Sequence, residues 1–301
     1  MKRTKKWLKY AAAAAVAMAL LPLLLTWLIS GKKEIAMSRQ TDPENVLAVL
    51  MCGEIPWDYP EEALKAQAVL TRSSLYYYSE EGSLYPSGEG DFQDTVWEEE
   101  LEIYRRQRSR DSYREALLKM ERAAEETRGR SSLFQDQVCR GVYHRVSAGW
   151  TRPGGEALGE PAYLTSVESP EDTGSPEYLN GHYFSPEALR VRIGECFPEA
   201  QLSEESVFEQ LEIVERDAAD YVAAIRVGNL QVPGEEFREK LELSSSNFTI
   251  QELDGRIRIL CKGLGHGMGM SQYGAAAMAR QGRDYREILA YYFPETSLGN
   301  V

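Results

Sequence analysis

Acid is missing from the start of this chain. Residues 1–33 carry Lys2, Arg3, Lys5, Lys6, Lys9, Lys32 and Lys33 without one aspartate or glutamate. Cysteine and histidine are scarce throughout: Cys52, Cys139, Cys196 and Cys261, with His144, His182 and His266. No two cysteines are spaced C-x-x-C and no histidine lies four residues from another, so redox and zinc signatures are lacking. Cys139 and His144 make one pair, which is not a site, and the sequence supports no metal. If the body is exported, four cysteines permit three disulfide pairings; burial as free thiols is the equal alternative. There is no internal repeat, which excludes a repeat array, and no low-complexity segment beyond the alanines at 11–15.

Residues 34–301 hold 27 basic and 47 acidic side chains, a formal charge of about −20. Such a body is repelled by nucleic-acid phosphates, and nucleic acid is discounted as a partner. With 43% hydrophobic and 27% charged residues, a chain of 301 residues can bury a sizeable core. Residues 10–30, YAAAAAVAMALLPLLLTWLIS, form an uncharged apolar run of 21. About 20 such residues span a bilayer as a helix. Five basic residues precede the run and two follow, so the positive-inside bias places the tail 1–9 in the cytoplasm and the body outside. A cleaved signal peptide is the rival, but the run is long for one and TWLISGKKE is a poor cleavage site. The expected organisation is a cytoplasmic tail 1–9, a single-pass anchor 10–30, a linker 31–44 and one extracytoplasmic domain 45–301.

Along the body, ENVLAVLMCGEIP fits a strand or a short helix. Asp58, Pro60 and Glu61 announce a helix with Ala63, Ala66, Leu70 and Tyr77 on its inner stripe. Gly82 to Gly90 is a turn-rich break. Residues 96–128, dense in Glu and Arg, predict a surface amphipathic helix or hairpin. Ser112 and Glu115 are its expected capping box, Leu117, Met120 and Ala124 its stripe, and Gly129 its stop. The other reading of this segment is a partner-docking face. From 137 the pattern turns to short strands, with a helix from Ser185–Pro186 through Ile193. Residues 207–232 predict two strands about DAAD, then a short helix GEEFREKL and a hairpin turning at Asp254–Gly255. Two helices broken at Gly282 end the chain. The mixture predicts an α+β class, helices with short antiparallel strands.

Three patches carry chemically useful side chains. Glu54 sits between an apolar segment and a proline-started helix. Partial desolvation by Trp57 and Tyr59 would raise its pKa and suit it to acid catalysis, although a capping or surface glutamate is the plainer reading. YHRVSAGWT, 143–151, offers His144, Ser147 and Thr151 on a strand-turn unit. Without an acid partner, Ser147 and His144 are not a convincing nucleophile pair. GLGHGMGMSQYGA, 263–275, interleaves four glycines with His266, Met268 and Met270. It lacks the Lys and Ser/Thr of a phosphate loop, and glycine-rich turns are as often structural.

Residues 53–72, GEIPWDYPEEALKAQAVLTR, resemble the signature of the stage II sporulation protein D family, also called the amidase-enhancer family. YHRVSAGWT, PGEEFREKLELSSSNFTI and GLGHGMGMSQYGAAAMARQG with YREILAYYFP match it in the same order, over roughly 45–295. The resemblance implies a peptidoglycan lytic transglycosylase acting in engulfment during sporulation, needing no cofactor, with Glu54 as the catalytic acid. It also places Lys65, Gln67, Arg72, His144, Ser147, Thr151, His266, Ser271, Gln272 and Tyr273 on the matching motifs, as expected substrate-binding or supporting residues. The implied partners are glycan strands, a cell-wall amidase and a membrane scaffold. The alternative function is a glycan-binding enhancer of an amidase that does not itself cut. Some relatives carry a zinc site of cysteines and histidines near the second motif. Here that stretch reads SVESPED, with Ser169 and no cysteine, so no zinc of that type is expected.

Overall fold

A computed structural model describes residues 44–80, 110–155, 160–203 and 206–300. The apolar run 10–30, the tail before it, the linker and the charged stretch 96–109 lie outside these residues. Among those described, no helix is long and apolar enough to cross a membrane.

The ambiguous first segment is helical: α1 runs Glu44–Glu54 and ends on the residue of interest. Its Leu47, Leu50, Met51 and Cys52 are buried, so a helical period rather than an alternating one fits its apolar residues. A short turn through Pro56 and Pro60 leads to α2, Glu61–Glu80. Ala63, Ala66, Val69 and Leu70 are its buried stripe. The helix α3, Arg110–Glu126, packs along α2 through Ala116, Met120, Ala123 and Ala124. It starts before Ser112, so that residue lies inside the helix instead of capping it. Gly129 adopts φ 70° just past its end, as a helix stop requires.

The strands β1 (Arg130–Phe134), β2 (Gln137–Val138) and β3 (Tyr143–His144) follow, then a 3-10 turn at Pro170–Gly174. Next come β4 (Leu179–Phe184) and α4 (Pro186–Cys196), capped by Ser185, whose hydroxyl accepts from the Ala188 amide at 3.1 Å. The stretch expected as two strands holds three: β5 (Leu211–Arg216), β6 (Val222–Val227) and β7 (Leu230–Pro233). The extra reversal falls at Gly228, whose φ of 58° supplies the tight turn. The short helix α5 is Gly234–Lys240. The hairpin of β8 (Phe248–Leu253) and β9 (Arg256–Lys262) turns at Asp254–Gly255 as expected, both at positive φ. After β10 (Met270–Ser271) come α6 (Gln272–Arg280) and α7 (Tyr285–Tyr292), broken at Gly282, and β11 (Ser297–Asn300). The last strand pairs antiparallel with β1, in the sheet order β11-β1-β2.

Leu47–Val301 form one compact unit around two apolar cores. The first joins α2, α6, α7 and the glycine-rich segment, with Met268, Met270, Ile288 and Tyr292. The second lies among α4, α5 and the sheets β5-β6-β7 and β4-β9-β8, with Ile225, Phe237, Phe248 and Ile259. The result is α+β, as the sequence predicts. All four cysteines are thiols: Cys52, Cys139 and Cys261 buried, Cys196 half-buried.

Candidate active site

The glycine-rich segment and the 143–152 strand-turn unit are built against each other. β3 pairs parallel with β10, Tyr143 opposite Met270 and His144 opposite Ser271. Gly267 and Gly269 have φ of 82° and 70°, and side chains there would strike the Tyr221 ring and the Val142 carbonyl at 2.4 and 2.1 Å. Both the backbone conformation and the close approach demand glycine. This packing holds Tyr143 and His266 beside the C-terminal end of α1.

Glu54 sits at that end, half-buried, in a web of side chains. Its Oε2 accepts a short hydrogen bond from the Thr71 hydroxyl and a second, 3.1 Å, from the Gln67 amide. Gln67 also donates to Thr71 Oγ1 at 3.2 Å. Gln67 and Thr71 lie four apart on α2 and so share one face. The Gln272 amide donates to the Glu54 backbone carbonyl at 2.8 Å and to Gln67 Oε1 at 3.1 Å, fixing the helix end and the side chain together. Tyr143 bonds to the Glu54 carboxylate, and its phenol is held well above its ordinary pKa, first by burial and then by that negative charge. Thr71 and Tyr143 are absent from the residues expected from sequence. The i,i+4 spacing of Gln67 and Thr71 could have revealed the first. Trp57 and Tyr59, expected to desolvate Glu54, carry cations on their rings: Lys119 Nζ 4.6 Å from Trp57, the Arg145 guanidinium 5.3 Å from Tyr59.

A cleft of about 450 Å³ opens beside this web. Glu54, Tyr143, His266 and Met268 line it, with Tyr78, Arg140 and Glu160 on the helical side and Glu235, Arg238 and Glu239 of α5 on the other. Arg140 pairs with Glu160; Arg238 pairs with Glu235 at 2.7 Å and Glu239 at 3.3 Å. The cleft therefore runs along the seam of the two cores. His266 Nδ1 accepts from the Met268 amide at 3.1 Å. Burial holds its pKa down to about 4, so it is neutral near pH 7.

Of the expected site residues, Glu54, Gln67, His266 and Gln272 come together here. The others serve the frame. Lys65 binds Glu126 (2.7 Å), Glu62 (2.8 Å) and Glu61 (3.2 Å). Burial works against its charge, but those bonds win and hold its pKa above lysine's usual value. Arg72 is fully buried and donates to the Ala124 carbonyl (2.9 Å), the Arg130 carbonyl (3.0 Å) and Thr127 (3.2 Å), closing the C-terminal end of α3. His144 is buried, with Nδ1 donating to the Met268 carbonyl at 2.9 Å and Nε2 unpartnered. Its pKa falls to about 3, chiefly through burial. It does not face Ser147, so the two form no nucleophile pair. The Ser147 amide and the Ser271 hydroxyl each donate to Asp172 at 2.8 Å. Burial raises the Asp172 carboxyl above its usual range despite these bonds. Asp172 went unnoticed in sequence because an acid in SPED looks like a turn residue. Thr151 Oγ1 accepts the Val167 amide at 2.9 Å, and the Tyr273 hydroxyl donates to the Gly174 carbonyl at 3.3 Å. Among the described residues, no cluster of three or more His, Cys, Asp or Glu could hold a metal ion.

A half-buried carboxyl that accepts from Thr71, Gln67 and Tyr143 at the edge of a cleft lined by both charged and apolar side chains defines a candidate acid–base site. Comparison with known proteins supplies the family. Residues 31–134 match the family model described as stage II sporulation protein. The chain is 30% identical to stage II sporulation protein D of Bacillus amyloliquefaciens over 257 residues, covering 83% of this chain and 72% of that one. With its counterpart in Bacillus subtilis (strain 168), identity is 28% over 265 residues, 86% of this chain and 74% of the other. A shorter stretch, 76 residues at 38% identity, matches the amidase enhancer of Bacillus subtilis (strain 168), covering 24% and 11% of the two chains. The chain belongs to the stage II sporulation protein D family.

Proposed function

We propose that this chain is a membrane-anchored lytic transglycosylase that cleaves peptidoglycan glycan strands outside the cell, with Glu54 as its acid and base. The observation that carries the reading is the setting of Glu54. The Glu54 carboxyl lines the cleft at the end of α1 and accepts from Thr71, Gln67 and Tyr143, while Glu160, Glu235 and Glu239 of the cleft pair with arginines. In the proposed step the protonated Glu54 gives its proton to the oxygen joining N-acetylmuramic acid to N-acetylglucosamine, and the C1–O bond breaks. The resulting carboxylate takes the proton of the muramic acid 6-hydroxyl, whose oxygen bonds to C1 and closes a 1,6-anhydro ring. Glu54 ends as it began, and no water is consumed. One carboxyl suffices, unlike the pair used in ordinary glycoside hydrolysis. Tyr143, Gln67 and Gln272 keep it aimed, and His266 supports the cleft wall as a neutral side chain.

The apolar run 10–30 supports the anchor, with the body 45–301 facing the wall. The family supports a role in sporulation, beside an amidase that strips stem peptides and a membrane scaffold. The test is mass spectrometry of peptide-free glycan incubated with the full chain in detergent. Anhydro-ended fragments are expected. The match to an amidase enhancer favours a second reading, a glycan binder that stimulates an amidase without cutting. It predicts retention on glycan, faster amidase turnover and no anhydro ends.

A further inference from the structure

The outer face of the sheet β4-β9-β8 lies away from the second core and stands out against the rest of the body. Register fixes its members. Leu179, Gly181 and Tyr183 of β4 sit opposite Lys262, Leu260 and Arg258 of β9. Thr249, Gln251 and Leu253 of β8 sit opposite Leu260, Arg258 and Arg256. Alternation puts all of these on one side, while Phe248, Ile257, Ile259 and Cys261 point into the core. None of the ten outer positions is acidic and three are cationic, in a body whose formal charge is about −20. Among the described residues, Arg256, Arg258 and Lys262 make no ion pair; the Arg258 guanidinium donates through Nη2 to the Gln251 side chain of the same face, and its Nε has no hydrogen-bond partner. Arg256 and Arg258 stand ~7 Å apart along β9, with Lys262 ~14 Å further.

The face is also apolar in a particular way. Tyr183 is 55% exposed and its ring lies across Gly181, where a Cβ would meet it at 2.9 Å. Leu179 (57%) and Leu253 (45%) are exposed at the two flanks. A flat aromatic ring backed by glycine offers a surface on which the C–H face of a sugar ring can lie. Cations spaced along the neighbouring strand offer points for carboxylates.

We propose that this face is a second glycan site, distinct from the cleft, that holds strands whose muramic acid carboxylates are free. It rests on the glycan reading given above. Removal of a stem peptide leaves one lactyl carboxylate on each muramic acid, so the face would favour stripped strands over peptide-bearing ones. An uncharged polysaccharide would gain the ring contact and lose the charge contact. A phosphate-bearing wall polymer would gain the charge contact without the sugar stacking.

The full chain carrying Glu54→Gln, kept in detergent so that strands are bound without being cut, is sedimented with insoluble peptide-free glycan, the same glycan with its carboxylates amidated, and chitin. Retention on peptide-free glycan is expected to drop at least tenfold with Tyr183→Ala plus Arg258→Gln. A similar drop is expected with Arg256→Glu plus Lys262→Glu, two exposed positions whose change cannot disturb the core. Amidation should weaken the parent to the level of chitin. With Glu54 restored, both double variants should cut a short soluble oligosaccharide at rates within twofold of the parent. Unchanged retention in both variants, or retention indifferent to amidation, would overturn the proposal. If the carboxylate-dependent retention is seen but no background yields anhydro ends, the face stands and the catalytic reading falls.

Discussion

The two cores of this molecule bury apolar side chains in similar fashion, but they differ in what else they bury. Around α2, β3, α6 and the 3-10 turn, the interior holds Gln67, Thr71, Arg72, Ser73, His144, Asp172, Ser271 and Gln272. In the sheet half, from Glu177 to Lys262, the buried polar side chains among the described residues are Ser245, Ser246 and Asn247, all in the segment that enters β8, and none is charged. A satisfied polar network in a low-dielectric interior fixes geometry at the risk of high cost when broken. An apolar core supplies stability and tolerates rearrangement better. The helical half fixes the web of side chains around Glu54, while the sheet half supplies a wall of the cleft and a scaffold.

That comparison can be broken in several ways. The largest effect on stability belongs to the sheet half. Phe237→Ala removes a ring buried among Phe197 and Phe248 and should cost about 3–5 kcal/mol in urea unfolding. Cleavage per folded molecule should persist at low temperature. Collapse of the Glu54 web instead would show that the halves are not separable. Arg72→Leu strips two carbonyls and Thr127 of their donor and should cost about 2–4 kcal/mol, again through folding. A loss of kcat in Arg72→Leu with stability unchanged would move Arg72 from the frame to the site.

Smaller effects should be catalytic. Thr71→Val removes the hydroxyl on Glu54 and should lower kcat about tenfold, the equivalent of about 1.4 kcal/mol, with stability within about 1 kcal/mol of the parent. The last concerns pH and is absent near neutrality. Burial holds His144 near pKa 3 and His266 near 4, whereas both bind protons near 6.5 once unfolded. Protonation then favours the unfolded chain, so stability falls as pH drops from about 6.5 to about 4. Each histidine adds a slope of about 1.4 kcal/mol per pH unit in that window. His144→Asn should remove one such contribution from a pH series of unfolding curves. An unchanged slope would mean that His144 is already charged in the fold.

Much of the architecture was legible because it follows period and punctuation. Pro60, Ser185, Gly282 and the Asp254–Gly255 turn mark element ends that the chain obeys locally. α1 stayed ambiguous because its short apolar run fits a strand as well as a helix until a partner surface selects one. The third strand of β5-β6-β7 was legible too: Gly228–Asn229 between two alternating runs is a two-residue hairpin signal, and reading 222–232 as one strand passed over it. Glu54 could be singled out by motif, but its grip could not. Thr71, Tyr143 and Gln272 reach it from residues 17, 89 and 218 positions away, and only the packed cores bring them together. For the same reason Arg72 and Ser147, adjacent to functional groups in sequence, turn inward to serve the frame.

The central claim is that one carboxyl, held by the helical half, both gives and takes the proton. It is tested most directly by comparing Glu54→Gln with the parent on peptide-free glycan, reading the ends of the products by mass spectrometry. The parent should yield 1,6-anhydro ends. Glu54→Gln should yield none, with its unfolding curve unchanged. Anhydro ends from a folded Glu54→Gln chain, or hydrated ends from the parent, would contradict it.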